Sequence, residues 1–164
     1  MAEPYTKTKL EHLTEYMVAH LNCNVLDNAI DAWQESATIE ANGEDRGNGG
    51  CIICNWRYRA VISIEEFPHH QLDPRNLLAL VSCWLTDYDG ERNELDLEDP
   101  ELSVDVLDHQ TADVSIELDM VEPVEMIPDP AGMITWRGEK YRVQAVPIYT
   151  AEEAEIVNES DSSD

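Results

Sequence analysis

Between Cys51 and Phe67 the side chains Ile52, Cys54, Trp56, Tyr58, Ala60, Ile62 and Ile64 fall on alternate positions. Period-two hydrophobicity sustained this far is a strand signal, and it marks this stretch as the clearest strand in the sequence, with one dry face. Arg57 and Arg59 share the opposite face. That face either meets water or docks against an acidic neighbour.

Two helices are expected beside this strand. Leu10, Leu13, Met17 and Leu21 recur at helical spacing within Lys7 to Leu21, and Thr8 with Glu11 forms a capping box. Asp73 and Pro74 read as N-cap and first helical residue of a second helix, whose stripe Leu77, Leu78, Val81, Trp84 and Leu85 stops near Asp89 and Gly90. A short strand is expected near Trp33 to Ala41, where Trp33, Ala37 and Ile39 share parity. The glycine-rich segment from Asn42 to Gly50 reads as a connection or hairpin tip.

Further strands follow the second helix. Leu102, Val104 and Val106 alternate with polar residues, a short loop covers Asp108 to Ala112, and Val114, Ile116, Leu118 and Met120 alternate again, which predicts a hairpin. Its wet face carries Asp105, Asp113, Glu117 and Asp119, too like-charged to stabilise one another, so something else must tolerate or use that field. Pro123 to Ile127 reads as an edge segment, because proline cannot donate to a ladder. Met133 to Arg137 and Lys140 to Val146 flank Gly138 and Glu139, which predicts a type II′ hairpin. The expected architecture is a single α+β domain over residues 1–150, two main helices packed on a largely antiparallel sheet. Residues 151–164 hold six acids and no base and are expected to be a disordered acidic tail.

Composition narrows the function. The chain has 164 residues, enough for one core, and its 35 Asp and Glu against 10 Lys and Arg give a formal net charge of -25. Such a charge opposes sequence-independent binding to DNA or to anionic membrane. The longest apolar run, Leu77 to Val81, is too short to span a bilayer and no secretory signal is legible, so a soluble intracellular protein is expected. Cys51 and Cys54 have a C-x-x-C spacing, but zinc needs a second short-spaced pair that Cys23, Cys83 and the histidines do not supply. No metal or cofactor is expected. His109 beside Asp108 imitates a base with its orienting carboxylate, yet both fall in a predicted turn, and no nucleophile elbow or phosphate loop is present. No catalytic residue is assigned, and the chain is read as a non-enzyme.

Three segments carry a resemblance: WRYRAVISIEEF (Trp56 to Phe67), LLALVSCWL (Leu77 to Leu85) and DPELSVDVLDHQTADVSIELDMVEPVEMI (Asp99 to Ile127). With the order of elements around them, the stretch from Trp56 to Val143 resembles the tail completion protein R family of peduovirus-type contractile-tailed phages. The glycine-rich loop and the residues after Tyr149 depart from it, and nothing is carried over there. The resemblance implies a tail-terminator-like fold and a subunit that caps the head-proximal end of a finished tail and prepares it for head joining. It implies a hexameric ring of identical copies, contacts with tail tube or sheath end proteins and with head connector proteins, and residence in the virion tail after assembly in the host cytoplasm.

On that reading Asp105, Asp113, Glu117 and Asp119 are expected to line or border a channel through which DNA passes without being bound, because a cationic wall would hold the phosphates. The alternative is an ordinary solvated sheet face. Sticky subunit edges are expected at Val124, Met126 and Ile127 and at Met133, Ile134 and Tyr141, unless these side chains close the subunit's own core. A rival function from another class is an acidic DNA-mimic decoy that blocks a basic nucleic-acid enzyme.

Overall fold

In a computed structural model of the chain, residues 8–21, 30–45, 47 and 49–144 are described. The N-terminal segment before Thr8, most of the polar stretch after Leu21, the end of the last hairpin and the acidic tail lie outside them. Two helices occur, α1 (Lys9–Leu21) and α2 (Arg75–Tyr88), with a short 3-10 turn at Gly90–Arg92. Six strands make up the rest: β1 (Ile30–Asp45), β2 (Cys51–Phe67), β3 (Glu101–Val106), β4 (Ala112–Pro128), β5 (Ile134–Trp136) and β6 (Glu139–Gln144). All pair antiparallel in one sheet of order β1-β2-β4-β6-β5, with β3 also on β4.

This corrects the expected balance of the fold. Instead of a helical layer on a sheet, the described residues are mostly sheet, 51%, curled into a half-barrel with two helices. Two strands account for the excess. β1 runs 16 residues although only a few are apolar, because apart from Ile30 and Ala32 its residues are exposed, and an exposed edge strand needs no alternating pattern. β4 runs 17 residues straight through Pro123. On the side away from β2, β3 pairs with β4 only as far as Glu117 and β6 begins at Glu125, so Pro123 falls in a stretch where that edge has no strand partner. The Pro123 to Ile127 segment is therefore interior to a long strand rather than a separate sheet edge.

Bulges also move side chains between faces. In the β1–β2 register Gln34 opposes Ala60 and Ser36 opposes Arg59, so Glu35 is the extra residue. Trp33, opposite Val61, thus lies on the other face from Ala37 and Ile39, which oppose Tyr58 and Trp56. A second bulge at Ile53 takes Ile52 out of the row formed by Trp56, Tyr58, Ala60, Ile62 and Ile64. The last turn is made by Arg137 and Gly138, both at positive φ (52° and 80°), which is a type I′ turn rather than the expected II′.

The main core fills the concave face. Tyr58, Ala60, Ile62 and Ile64 of β2 and Val114, Ile116, Leu118 and Met120 of β4 meet Leu10, Leu13 and Met17 of α1 and Leu77, Val81 and Trp84 of α2. The Thr8 hydroxyl accepts the Glu11 N–H at 3.2 Å, as the capping box requires. The Trp84 indole N–H donates to His12 Nδ1 at 2.8 Å, which satisfies the polar atom of the largest buried side chain. A smaller cluster under the far end of β4 joins Cys51, Met126 and Tyr141 with Ile53, Ile134 and Trp136. The helices do not close over β3: a groove of about 580 Å³ lies between α2 and β3, and Val104 and Val106 remain exposed.

A buried ion network replaces the missing strand beside β4. Asp89, at the C-terminus of α2, pairs with Lys9 Nζ at 2.7 Å and with Arg92 at 3.1 Å. Arg92 also donates to the carbonyls of Asp119 and Glu98, at 2.6 and 2.7 Å. The guanidinium thus serves a β4 carbonyl in the interval between β3 and β6, and links both helices to the sheet.

Candidate functional site

The convex face of β2, β3 and β4 brings the predicted acidic residues together. Odd-numbered β4 positions point outward, opposite the basic parity of β2: Arg59 opposes Asp119, and Arg57 opposes Val121. On the other side Glu101 opposes Glu117 and Asp105 opposes Asp113. Four acids on two adjacent strands would repel, and the two arginines compensate two of them, Glu117 and Asp119.

Arg59 sits at the centre. Its guanidinium donates to Glu101 at 2.8 Å and to Asp119 at 3.3 Å, and lies 3.6 Å from Glu117. Arg57 is looser, 3.8 Å from Asp119 and 3.9 Å from Glu40. Of the two readings of these arginines, docking against an acidic neighbour describes the geometry, and the neighbour is the chain's own sheet. Asp113 has another partner: it accepts the Glu66 N–H at 2.9 Å, where Glu65 and Glu66 bulge out of β2 and Glu66 takes a positive φ of 53°. Asp105, at the end of the face, is exposed and directly opposes Asp113. The face is therefore graded, ion-paired around Arg59 and uncompensated toward Asp105.

The predicted edge residues divide. Met126 and Tyr141 are buried in the smaller core and Ile134 packs on them. Val124 and Ile127 are half-buried within β4. Met133 is 94% exposed, the most exposed large apolar side chain among the described residues. Trp136 packs into the smaller core with the Arg137 guanidinium 4.2 Å above its ring.

Residues weighed for chemistry have local duties. Asp108 Oδ1 accepts the N–H groups of Gln110 and Thr111, at 2.8 and 2.7 Å, and these bonds hold its carboxyl below the usual range. His69 and His70 donate ring N–H groups to the carbonyls of Asp108 and Gln110 and brace the same turn. Cys51 is buried against Met126 and Tyr141, and Cys54 is half-buried. Among the described residues no group of three or more His, Cys, Asp or Glu is placed to hold a metal ion. No helix among them is long and apolar enough to cross a membrane.

Besides the Lys9–Asp89–Arg92 network, sequence reasoning missed a polar site on β4. Glu122 lies on the concave side of β4 opposite Trp56, where the Tyr58 hydroxyl donates to it. Burial pushes the Glu122 carboxyl above the usual glutamate range, and burial beside Glu122 pushes the Tyr58 phenol well above its ordinary value. The signal was an acid with inward parity, Glu122 following Leu118 and Met120 in the apolar row.

Comparison with known proteins relates the chain to proteins of phages. The chain is 25% identical over 151 residues to an uncharacterised 19.2 kDa protein from the rep-hol intergenic region of Haemophilus phage HP1 (strain HP1c1), covering 92% of this chain and 90% of that protein. The family profile described as P2 phage tail completion protein R (GpR) matches residues 7–145, and the chain belongs to that family.

Proposed function

We propose that this chain is a tail completion subunit that caps the head-proximal end of the phage tail as a ring of identical copies and prepares it for joining to the head. Its family membership gives it a structural role in a phage tail, and that match over residues 7–145 is the observation that carries the reading. The partners are then the end proteins of the tail and the connector proteins of the head. The convex face gives the proposal its physical content: Asp105, Asp113, Glu117 and Asp119 share one outward surface, which in a ring borders the DNA path. A wall of carboxylates with its few cations already engaged repels phosphates and lets DNA slide.

The test is a phage or prophage deleted for this gene and complemented in trans. Lysates lacking the protein should contain full heads and tails that remain apart by electron microscopy, and adding purified protein should join them. A deletion with normal titre overturns the proposal. Steep, salt-sensitive binding to a basic nucleic-acid enzyme, with no effect on tails, would establish the decoy in its place. Replacing all four acids of the convex face with lysine should leave subunits able to assemble while lowering the titre, and an unchanged titre would remove the channel assignment alone.

A further inference from the structure

The two ends of the sheet path carry opposite charge. Among the described residues β1 pairs only with β2 and β5 only with β6, so each leaves one row of backbone N–H and C=O groups open. β1 holds Asp31, Glu35, Glu40, Glu44 and Asp45 and no base. The β5–β6 hairpin holds Arg137, Lys140 and Arg142, three of the ten Lys and Arg of the whole chain, and one acid, Glu139; Arg142 lies 3.4 Å from Asp129, so Arg137 and Lys140 are the bases this end offers a partner. Both ends are also apolar at one point: Ile39 on β1 is 81% exposed and Met133, next to β5, is 94% exposed, the two highest values among the large apolar side chains described.

We propose that these two ends join copies of this chain head to tail, the acidic β1 edge of one copy docking the basic β5–β6 hairpin of the next, with Ile39 and Met133 covering one another. A strand edge recruits another strand through its open backbone groups, and side chains decide which. The alternatives for β1 are disfavoured by charge: a second β1 is acidic, and β3, whose outer edge is also open, carries Glu101 and Asp105 and no base. β5 offers only three residues, so the backbone contact is short and selection falls to the flanking charges. Such a contact joins two different surfaces and so propagates, closing into a ring when the rotation per copy permits. The pairing deepens the proposed ring and rests on that reading only for closure.

The experiment uses the full chain in sedimentation velocity at a fixed moderate ionic strength, with two reversed variants, Glu40→Lys/Glu44→Lys and Arg137→Glu/Lys140→Glu. Each alone should associate at least about tenfold more weakly than the unaltered chain. The β1 variant is the sharper of the two, because it makes the chain less negative overall and would associate more strongly if net repulsion were in control. An equimolar mixture of the two variants should regain assembly, since at positions 40, 44, 137 and 140 every contact in an alternating chain of the two again sets opposite charges together. Variants that assemble like the unaltered chain overturn the proposal, as does a mixture that stays dissociated. An unaltered chain that is monomeric at every concentration also overturns it, and leaves the tail-completion reading to be judged by the complementation assay.

Discussion

The β2–β4 ladder presents two faces from one register, and they obey different physics. On the concave side Tyr58, Ala60, Ile62 and Ile64 oppose Met120, Leu118, Ile116 and Val114, and none of the eight is more than 3% exposed. On the convex side Arg59 opposes Asp119 and Val61 opposes Glu117, and the charged side chains there keep 22% to 35% of their surface in water. Burying each of the large aliphatic side chains of the concave rows yields roughly 1.5–3 kcal/mol, whereas exposed ion pairs yield about 0–1 kcal/mol. The concave rows therefore carry most of the burial that holds the fold together. Val61 and Val121 on the convex side are buried too, but the charged positions beside them are free to be chosen for what they meet. That division suits a structural subunit, whose surface must change with its partners while its core stays put.

The largest effects should come from the concave side. Trp84→Ala removes the biggest fully buried side chain and leaves His12 Nδ1 without its indole donor, so we expect a loss of ~3–5 kcal/mol in urea unfolding. A loss below ~1 kcal/mol would mean that the helices contribute little to the core. Arg92→Met tests the ion network that stands in for a strand. It strands the buried Asp89 with Lys9 alone and leaves the carbonyls of Asp119 and Glu98 without this donor, for an expected loss of ~3–5 kcal/mol. Hydrogen exchange should then quicken in β4 around residues 118–124 before it does in β2. Uniform quickening would show that Arg92 does not act locally on that edge.

How much of this was legible follows the same two faces. The concave residues could be read because burial imposes a period: every member of the main strand row from Trp56 to Ile64, and both helix stripes, were visible as spacing, except that Leu78 of the second stripe is 46% exposed. β1 was only partly legible, since an exposed edge strand is under no such pressure, and the bulge at Glu35 separates Trp33 from Ala37 and Ile39 although they share parity in the sequence. The passage of β4 through Pro123 depended on the absence of a strand opposite it, a fact about β3 and β6 that no local pattern contains. The acids of the convex face were found from parity, but their pairing with Arg59 required the β2–β4 register. The buried role of Met126 and Tyr141, weighed against a role at subunit edges, turned on a cluster assembled from three distant segments.

Smaller effects should come from the convex side, and they separate its two arginines. Arg59→Gln leaves Glu101, Glu117 and Asp119 without their shared cation, and should cost up to ~1 kcal/mol at low salt, falling toward zero at about 0.5 M salt as the repulsion is screened. Arg57→Gln, whose contacts are both longer than 3.7 Å, should cost less at either salt. Equal losses for the two variants, unaffected by salt, would mean that packing of the aliphatic stems rather than charge is what the face contributes.

Glu122 sits where the two faces conflict, an acid in a concave row, and its effect should be the smallest because its neighbours partly offset one another. Burial raises its folded value above the unfolded one, while the Tyr58 hydroxyl and the Lys9 ammonium pull it back. In the interval between the two values the folded chain keeps a proton that the unfolded chain has released. The stability from that proton is full below the ordinary glutamate range and is lost as pH rises through the raised value. Glu122→Gln keeps an acceptor for Tyr58 and carries no charge at any pH. The variant should therefore match the unaltered chain near about pH 4 and be the more stable of the two near about pH 8. Because the many other carboxylates titrate alike in both chains, the difference between the two unfolding curves isolates this one group. A gap that stays constant with pH, or that opens on the acid side, would show that Glu122 is charged in the folded chain and that the Lys9 ammonium, not burial, governs it.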